Sequence, residues 1–399
     1  MQILVISSLP PISINKPGSP RIYCLCKELS KRHEIFFMSP FSKQQLIEAL
    51  GSESELNEIF SKIITFENPP KPTFLCRVAH SILRTPNHIT KWRYPKYFFN
   101  TKQLVTRTIS ELSPDAIIGH CAGAIQYISK TSLPTIVDLV DSVALFNSRK
   151  QQPSNNIIRK IIATIDIFAT NYYERKLSKI GKHCTFVSQL DCDWANKVSR
   201  IKNSQIITNG INTNYFAKVA WNPYSTQIVF IGVMNYAPNE DAAIWFGSNI
   251  FSKITSKYQE LSFNVVGASP TPEVLQLSKT QNINVTGTVD DVRPYLNKAL
   301  CFVCPMRLGS GLKNKILQAF STGIPVISTS AGADGLDIIP DTHYLLANSE
   351  NEFLAQVERL IENPALGEKI IENSYNLVNS KYSWVTQALK LENLLTHKE

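Results

Sequence analysis

Between residues 305 and 320 the chain reads Pro-Met-Arg-Leu-Gly-Ser-Gly-Leu-Lys-Asn-Lys-Ile-Leu-Gln-Ala-Phe. The apolar run Ala299 to Cys304 before it reads as a buried parallel strand, and the periodic run after it reads as a helix. A glycine-rich turn between strand and helix leaves backbone N–H groups free to point outward. Gly309 and Gly311 permit positive φ and a close backbone approach. Arg307, Lys313 and Lys315 add cationic donors, and Ser310 adds a hydroxyl between the glycines. Amide dipoles with lysines suit a diphosphate whose charge grows as a bond breaks. Gln318, one helical turn further on, can serve ribose hydroxyls or simply face solvent. The bland alternative for the whole stretch is a tight turn with solvated lysines.

Other candidates sit at predicted carboxyl ends of strands. Gly18 and Ser19 fall near the start of a predicted helix, where a phosphate or a reacting sugar fits as well as a plain surface loop does. His120 ends the strand 116–119 and fits either a sugar hydroxyl or a structural role. Asp138 and Asp141 follow the next strand, as a general base for an acceptor hydroxyl, an acceptor-binding carboxylate or a helix cap. Asn235, with Tyr236, follows the strand 228–231 and is a candidate for phosphate or base contact. Residues 77–107 interleave Arg77, Arg84, Lys91, Arg93 and Lys96 with Trp92, Tyr94, Tyr97 and Phe99. That mixture suits a membrane surface or a lipid-linked acceptor, single-stranded nucleic acid, or an ordinary core-packed segment.

These residues need elements to hold them. Strands and helices alternate through the sequence, which calls for parallel sheets covered on both faces. A chain of 399 residues is too long for one ordinary core. We expect two doubly wound α/β domains facing across a cleft, with ligands at the carboxyl ends of the strands. Residues 1–205 form the first, 206–380 the second, and 381–399 a final helix. Asn-Gly and Asn-Pro turn signals mark the boundary near 208–223. The net charge of +9 suits an anionic partner. The basic residues are spread rather than aligned with a nucleic-acid-binding module, so we expect no nucleic acid partner. Eight scattered cysteines read as small buried thiols and fit a reducing compartment. No signal peptide is visible, and no apolar run approaches the ~20 residues of a membrane span. A cytoplasmic location is expected, with peripheral contact at the inner membrane face through 77–107 as an open addition.

The second half resembles the family 4 glycosyltransferases of the GT-B fold. The resemblance runs through 229–239, Val265-Val266-Gly267, 285–292, the turn 305–318, Gly323-Ile324-Pro325-Val326, and Gly332-Ala333-Asp334-Gly335. It is weaker in the first half, at Gly18-Ser19, His120 and Asn209-Gly210. The branch it looks most like contains bacterial enzymes found with exosortase and surface-polysaccharide systems. The resemblance implies two Rossmann-like domains, with the second binding the donor and the last helix crossing back to the first. It implies retaining transfer of a sugar from a nucleotide diphosphate sugar to a glycan or lipid-linked acceptor, with no cofactor and no metal. On that reading Gly18, Ser19, Asn235, Arg307, Ser310, Gly311, Lys313, Lys315 and Gln318 are donor-binding. His120, Asp138 and Asp141 are the catalytic candidates. Most of the family carries glutamates where Ser310 and Gln318 stand. The usual Arg and Lys after the donor domain's first strand are also absent, and Lys313 and Lys315 are expected to replace that charge. A non-hydrolysing nucleotide-sugar epimerase and a non-catalytic sugar-binding relative are the competing readings.

Overall fold

The computed structural model describes residues 1–13, 20–70, 90–150, 157–308 and 312–396. It separates into two compact units, Met1–Thr208 with Gln387–Glu399, and Asn209–Thr386.

The first unit is built on seven strands: β1 (Gln2–Ser7), β2 (Glu34–Ser39), β3 (Lys62–Thr65), β4 (Ala116–His120), β5 (Thr135–Val140), β6 (His183–Phe186) and β7 (Ser204–Ile206). They form one parallel sheet in the order β3-β2-β1-β4-β5-β6-β7. Ile3 to Ile6 and Ile117 to Ile118 are buried. Runs that are apolar throughout are what a sheet covered on both faces requires. The helix Lys43–Leu50 starts at a capping box: the Ser42 hydroxyl accepts from Gln45 N, and the Gln45 side chain accepts from Ser42 N. Ala388, Leu391 and Leu395 of the last helix (Trp384–Thr396) are buried. Glu392 of that helix accepts from Arg32 at 2.6 Å.

The second unit has six strands: β8 (Gln227–Ile231), β9 (Ser262–Val266), β10 (Ile283–Val285), β11 (Ala299–Cys304), β12 (Val326–Ser328) and β13 (Leu345–Leu346). Their order, again all parallel, is β10-β9-β8-β11-β12-β13. The helix Asn314–Thr322 ends at Gly323 with φ 79°, the left-handed C-cap that the glycine predicts. The stretch 240–255, which periodicity reads as one helix, is three pieces. Helix Ala237–Trp245 passes through a π segment, Phe246–Ile250, into helix Phe251–Lys257. The wider turn keeps Ala242, Ala243, Phe246, Ile250, Phe251 and Ile254 all buried, which an even 3.6-residue period does not do at that spacing. The strand expected from His343 contracts to Leu345–Leu346.

Each sheet reverses its strand order once, between β1 and β4 and between β8 and β11. A crevice at the carboxyl ends of such a pair is where open α/β sheets take ligands.

Candidate functional site

In the second unit the switch point is built from a loop, a glycine pair and one lysine. β8 ends at Ile231 and the chain turns through Gly232. The Gly232 amide donates to Val266 O, and Met234 N donates to Ala268 O. A Cβ on Gly232 would come within 2.7 Å of Asn239 Nδ2 and 3.1 Å of Lys315 Nζ. Gly267 has φ 143°, and a Cβ there would lie 1.9 Å from Gly232 O. Only glycine fits at either place.

Asn239 and Lys315 fill the space the glycines leave. Asn239 is buried, and its Nδ2 donates to Val233 O at 3.0 Å, closing the loop on itself. Its Oδ1 accepts from Lys315 Nζ at 2.6 Å. That ammonium also sits 4.5 Å from the centroid of the buried Phe230 ring. No carboxylate among the described residues pairs with Lys315. Burial pushes its pKa down to about 8, the neighbouring Lys313 charge pushes the same way, and Cys304 opposes them. Lys313 is itself buried. Lys313 and Lys315 thus place two like charges near one another at the carboxyl end of a parallel strand.

Arg307 stands apart from this pair. It is exposed and binds Asp241 through Nε at 3.1 Å and NH2 at 2.5 Å, and its guanidinium lies 4.9 Å from the centre of the Trp245 ring. Its fork is already occupied, so Arg307 braces the loop after β11 against the helix Ala237–Trp245. Asn235 is exposed in the loop after β8. Gln318 is partly buried on the helix Asn314–Thr322. Ser310 and Gly311 lie outside the described residues, as do Gly18 and Ser19.

In the first unit His120 and Asp138 are adjacent, on β4 and β5. Both are buried, and Asp138 collects four donors. Its Oδ1 accepts from Arg21 NH2 at 2.9 Å and Thr185 Oγ1 at 2.8 Å. Its Oδ2 accepts from Arg21 Nε at 3.0 Å and His120 Nδ1 at 2.8 Å. Burial works against the charge on Asp138, but Arg21 and then His120 outweigh it and hold the carboxyl far below the usual range. Burial likewise disfavours a charged His120, yet the Cys121 and Asp138 groups beside it raise the ring to about 9.

A carboxylate with every acceptor position used and a strong preference for ionisation is a poor base. Asp138 thus positions His120, and the general-base role open to it in the sequence does not suit its surroundings. Arg21, fully buried at the start of the helix Arg21–Ser30, completes the network and reaches Thr208 O at 3.1 Å. The backbone nearby is strained, with Cys121 at φ 64° and Val140 at φ 72°. Val140 lies at the irregularity where β5 leaves register with β6. Strain of this kind in non-glycine residues gathers at functional sites. Asp141 is exposed just beyond Val140. Although the residue as a whole reaches solvent, crowding around its carboxyl and then the Asp191 charge push that group upward.

Arg21, Asn239 and Asp241 were not singled out in the sequence. Arg21 sits after Pro20 at a helix start, and Asn239 sits in a Pro-Asn-Glu helix start. Both signals point to local capping and say nothing of partners 117 and 76 residues away.

Known proteins share parts of this sequence and the whole of this fold. Residues 225–363 match the family described as Glycosyl transferases group 1. An uncharacterised 44.6 kDa protein of the cps region of Klebsiella pneumoniae is 21% identical over 247 residues, which is 60% of this chain and 61% of that relative. An uncharacterised glycosyltransferase of Methanocaldococcus jannaschii is 22% identical over 59% of this chain and 60% of its own length. The match therefore spans about three-fifths of these relatives. Among solved structures, a glycosyltransferase from Rickettsia africae superposes with a TM-score of 0.67 at 13% identity, covering 100% of this chain and 99% of that one. Anabaena HepE in complex with UDP gives 0.64 at 13% identity over 99% and 100%. WaaG, a glycosyltransferase involved in lipopolysaccharide biosynthesis, gives 0.62 at 12% identity over the full length of both. The fold is GT-B, two Rossmann-like domains with parallel sheets, and the stretch 225–363, which holds Lys315 and Asn239, is similar to the group 1 glycosyl transferases.

Proposed function

We propose that this protein transfers a sugar from a nucleotide diphosphate sugar to a glycan or lipid-linked acceptor in the building of a surface polysaccharide. The observation that carries the reading is Lys315, a half-buried ammonium held by Asn239 with no carboxylate partner among the described residues, in the stretch that matches the group 1 glycosyl transferases. An ammonium in such a place gains most from a bound polyanion. As the sugar–phosphate bond breaks, the charge growing on the leaving diphosphate is met by Lys315 and its neighbour Lys313. Structural neighbours solved with UDP, and with UDP and glucose, support a donor of that class. His120, oriented by its hydrogen bond to Asp138, offers a ring nitrogen to a sugar hydroxyl.

The finer parts of the reading rest on the family resemblance. They are transfer with retention at the anomeric carbon, activity without a metal, and the link to exosortase-type surface systems. The relative from a cps region supports a polysaccharide product. Buried free thiols at Cys24, Cys26, Cys184, Cys192, Cys301 and Cys304 support a reducing, cytoplasmic setting. No described helix is long and apolar enough to cross a membrane.

Incubation with a panel of nucleotide sugars tests the proposal. Nucleoside diphosphate should appear only when acceptor glycan is present, chelator should leave the rate unchanged, and the product should keep the donor's anomeric configuration. Interconversion of the sugar without acceptor identifies an epimerase. Binding with no turnover identifies a non-catalytic relative, a reading that Gln318 in place of the family's glutamate favours.

A further inference from the structure

Two helices of the first unit, Pro95–Leu112 and Ile157–Ser178, leave a surface that the chemistry above does not use. Ile165, Phe168 and Tyr172 are spaced i, i+3, i+7, which places them on one helical face. They are 54%, 74% and 60% exposed. Single exposed apolar residues are ordinary, but a continuous stripe of large ones marks a contact surface.

Tyr172 also borders a groove of about 240 Å³. Lys91, Lys102, Lys130 and Lys176 line it together with Phe99. No aspartate or glutamate is among its lining residues. The Lys91 ammonium lies 6.0 Å from the Phe99 ring centre, and that ring is 57% exposed.

We infer that this face docks the protein on an anionic bilayer surface. Phe168 and Tyr172 enter the headgroup region, and the four lysines neutralise lipid phosphates. Long lysine side chains can lay their stems on apolar groups while the ammonium stays in the phosphate layer. A second copy of the chain fits poorly, because an isologous contact would set the four lysines against themselves. The sequence leaves membrane contact through 77–107 as one reading among three, and residues 77–89 lie outside the described ones. The surface inferred here joins Lys91, Phe99 and Lys102 to a helix more than one strand away. It does not depend on sugar transfer and would hold for a non-catalytic relative.

Pelleting the full chain with lipid vesicles tests it. The wild type should pellet with vesicles of equal phosphatidylglycerol and phosphatidylcholine, and not with phosphatidylcholine alone. Replacing Lys91, Lys102, Lys130 and Lys176 together by Gln should weaken partitioning more than about a hundredfold, since each basic residue near the surface contributes about fivefold. Phe168→Ser with Tyr172→Ser should weaken it about tenfold. All these side chains lie on the surface, so near-UV circular dichroism should match the wild type, and Phe168→Ser alone serves if the fourfold variant does not fold. Equal pelleting on both vesicle types, or no loss in either variant, would overturn the inference. So would a concentration-dependent dimer that Phe168→Ser abolishes in sedimentation velocity.

Discussion

A lysine ammonium buried against Asn239 and Phe230 without a carboxylate costs the empty protein free energy that a bound anion returns. Lys315→Met should therefore raise the thermal midpoint without nucleotide and lower affinity for nucleoside diphosphate by about 2 kcal/mol, roughly thirtyfold. Differential scanning fluorimetry and calorimetry read the two effects separately. A variant that loses both stability and affinity would give Lys315 a structural role only. The depressed pKa adds a pH signature. Below about 8 Lys315 is charged and ready for phosphate, and above it the group is neutral, so nucleotide affinity should fall as pH rises through that value. Binding above pH 8 should also take up a proton, visible as buffer-dependent heat. In the first unit, Arg21→Leu leaves Asp138 buried without its guanidinium and should cost about 3–5 kcal/mol by urea unfolding. Lys313 and Lys315 stood out in the sequence as cations after a glycine pair, although a tight turn with solvated lysines read equally from the same residues. Asn239 and Arg21 were not, because their roles come from partners that only the fold brings near.

At the scale of elements, one helix start is held by another helix. Glu174, on Ile157–Ser178, accepts from the Ser142 hydroxyl at 3.0 Å and the Ala144 amide at 3.2 Å, at the entry to the helix Val143–Lys150. A carboxylate there caps amides that have no intrahelical partner. Burial nonetheless raises its pKa to about 7. The folded state then binds more protons than the unfolded state between about 4.5 and 7. Stability should therefore fall as pH rises through that window, and Glu174→Gln should flatten the slope. Thermal midpoints measured from pH 4.5 to 7.5 check this, and an identical slope in the variant would contradict it. Strand positions were readable from fully apolar runs such as Ala299–Cys304, which parallel sheets demand. The π segment was not readable, since a single wide turn shifts the register of the buried face without changing its composition.

At the scale of the whole molecule, two parallel sheets with one strand-order reversal each set the chemistry where backbone amides and helix starts converge. Alternating strand and helix patterns in the sequence sufficed to predict this architecture, and structures at 12–13% identity share it. That persistence reflects patterning and volume rather than residue identity. The proposed donor chemistry is less evenly written. Its charge is legible as lysines, while the arrangement that leaves Lys315 without a carboxylate is a property of the folded domain. The most direct test is calorimetric titration of the wild type and Lys315→Met with uridine, guanosine, adenosine and thymidine diphosphates and their monophosphates. The account predicts that at least one diphosphate binds the wild type more tightly than its monophosphate, and that the variant loses most of this difference. Binding that is equal for mono- and diphosphate, or unchanged in Lys315→Met, would contradict a diphosphate site at this lysine.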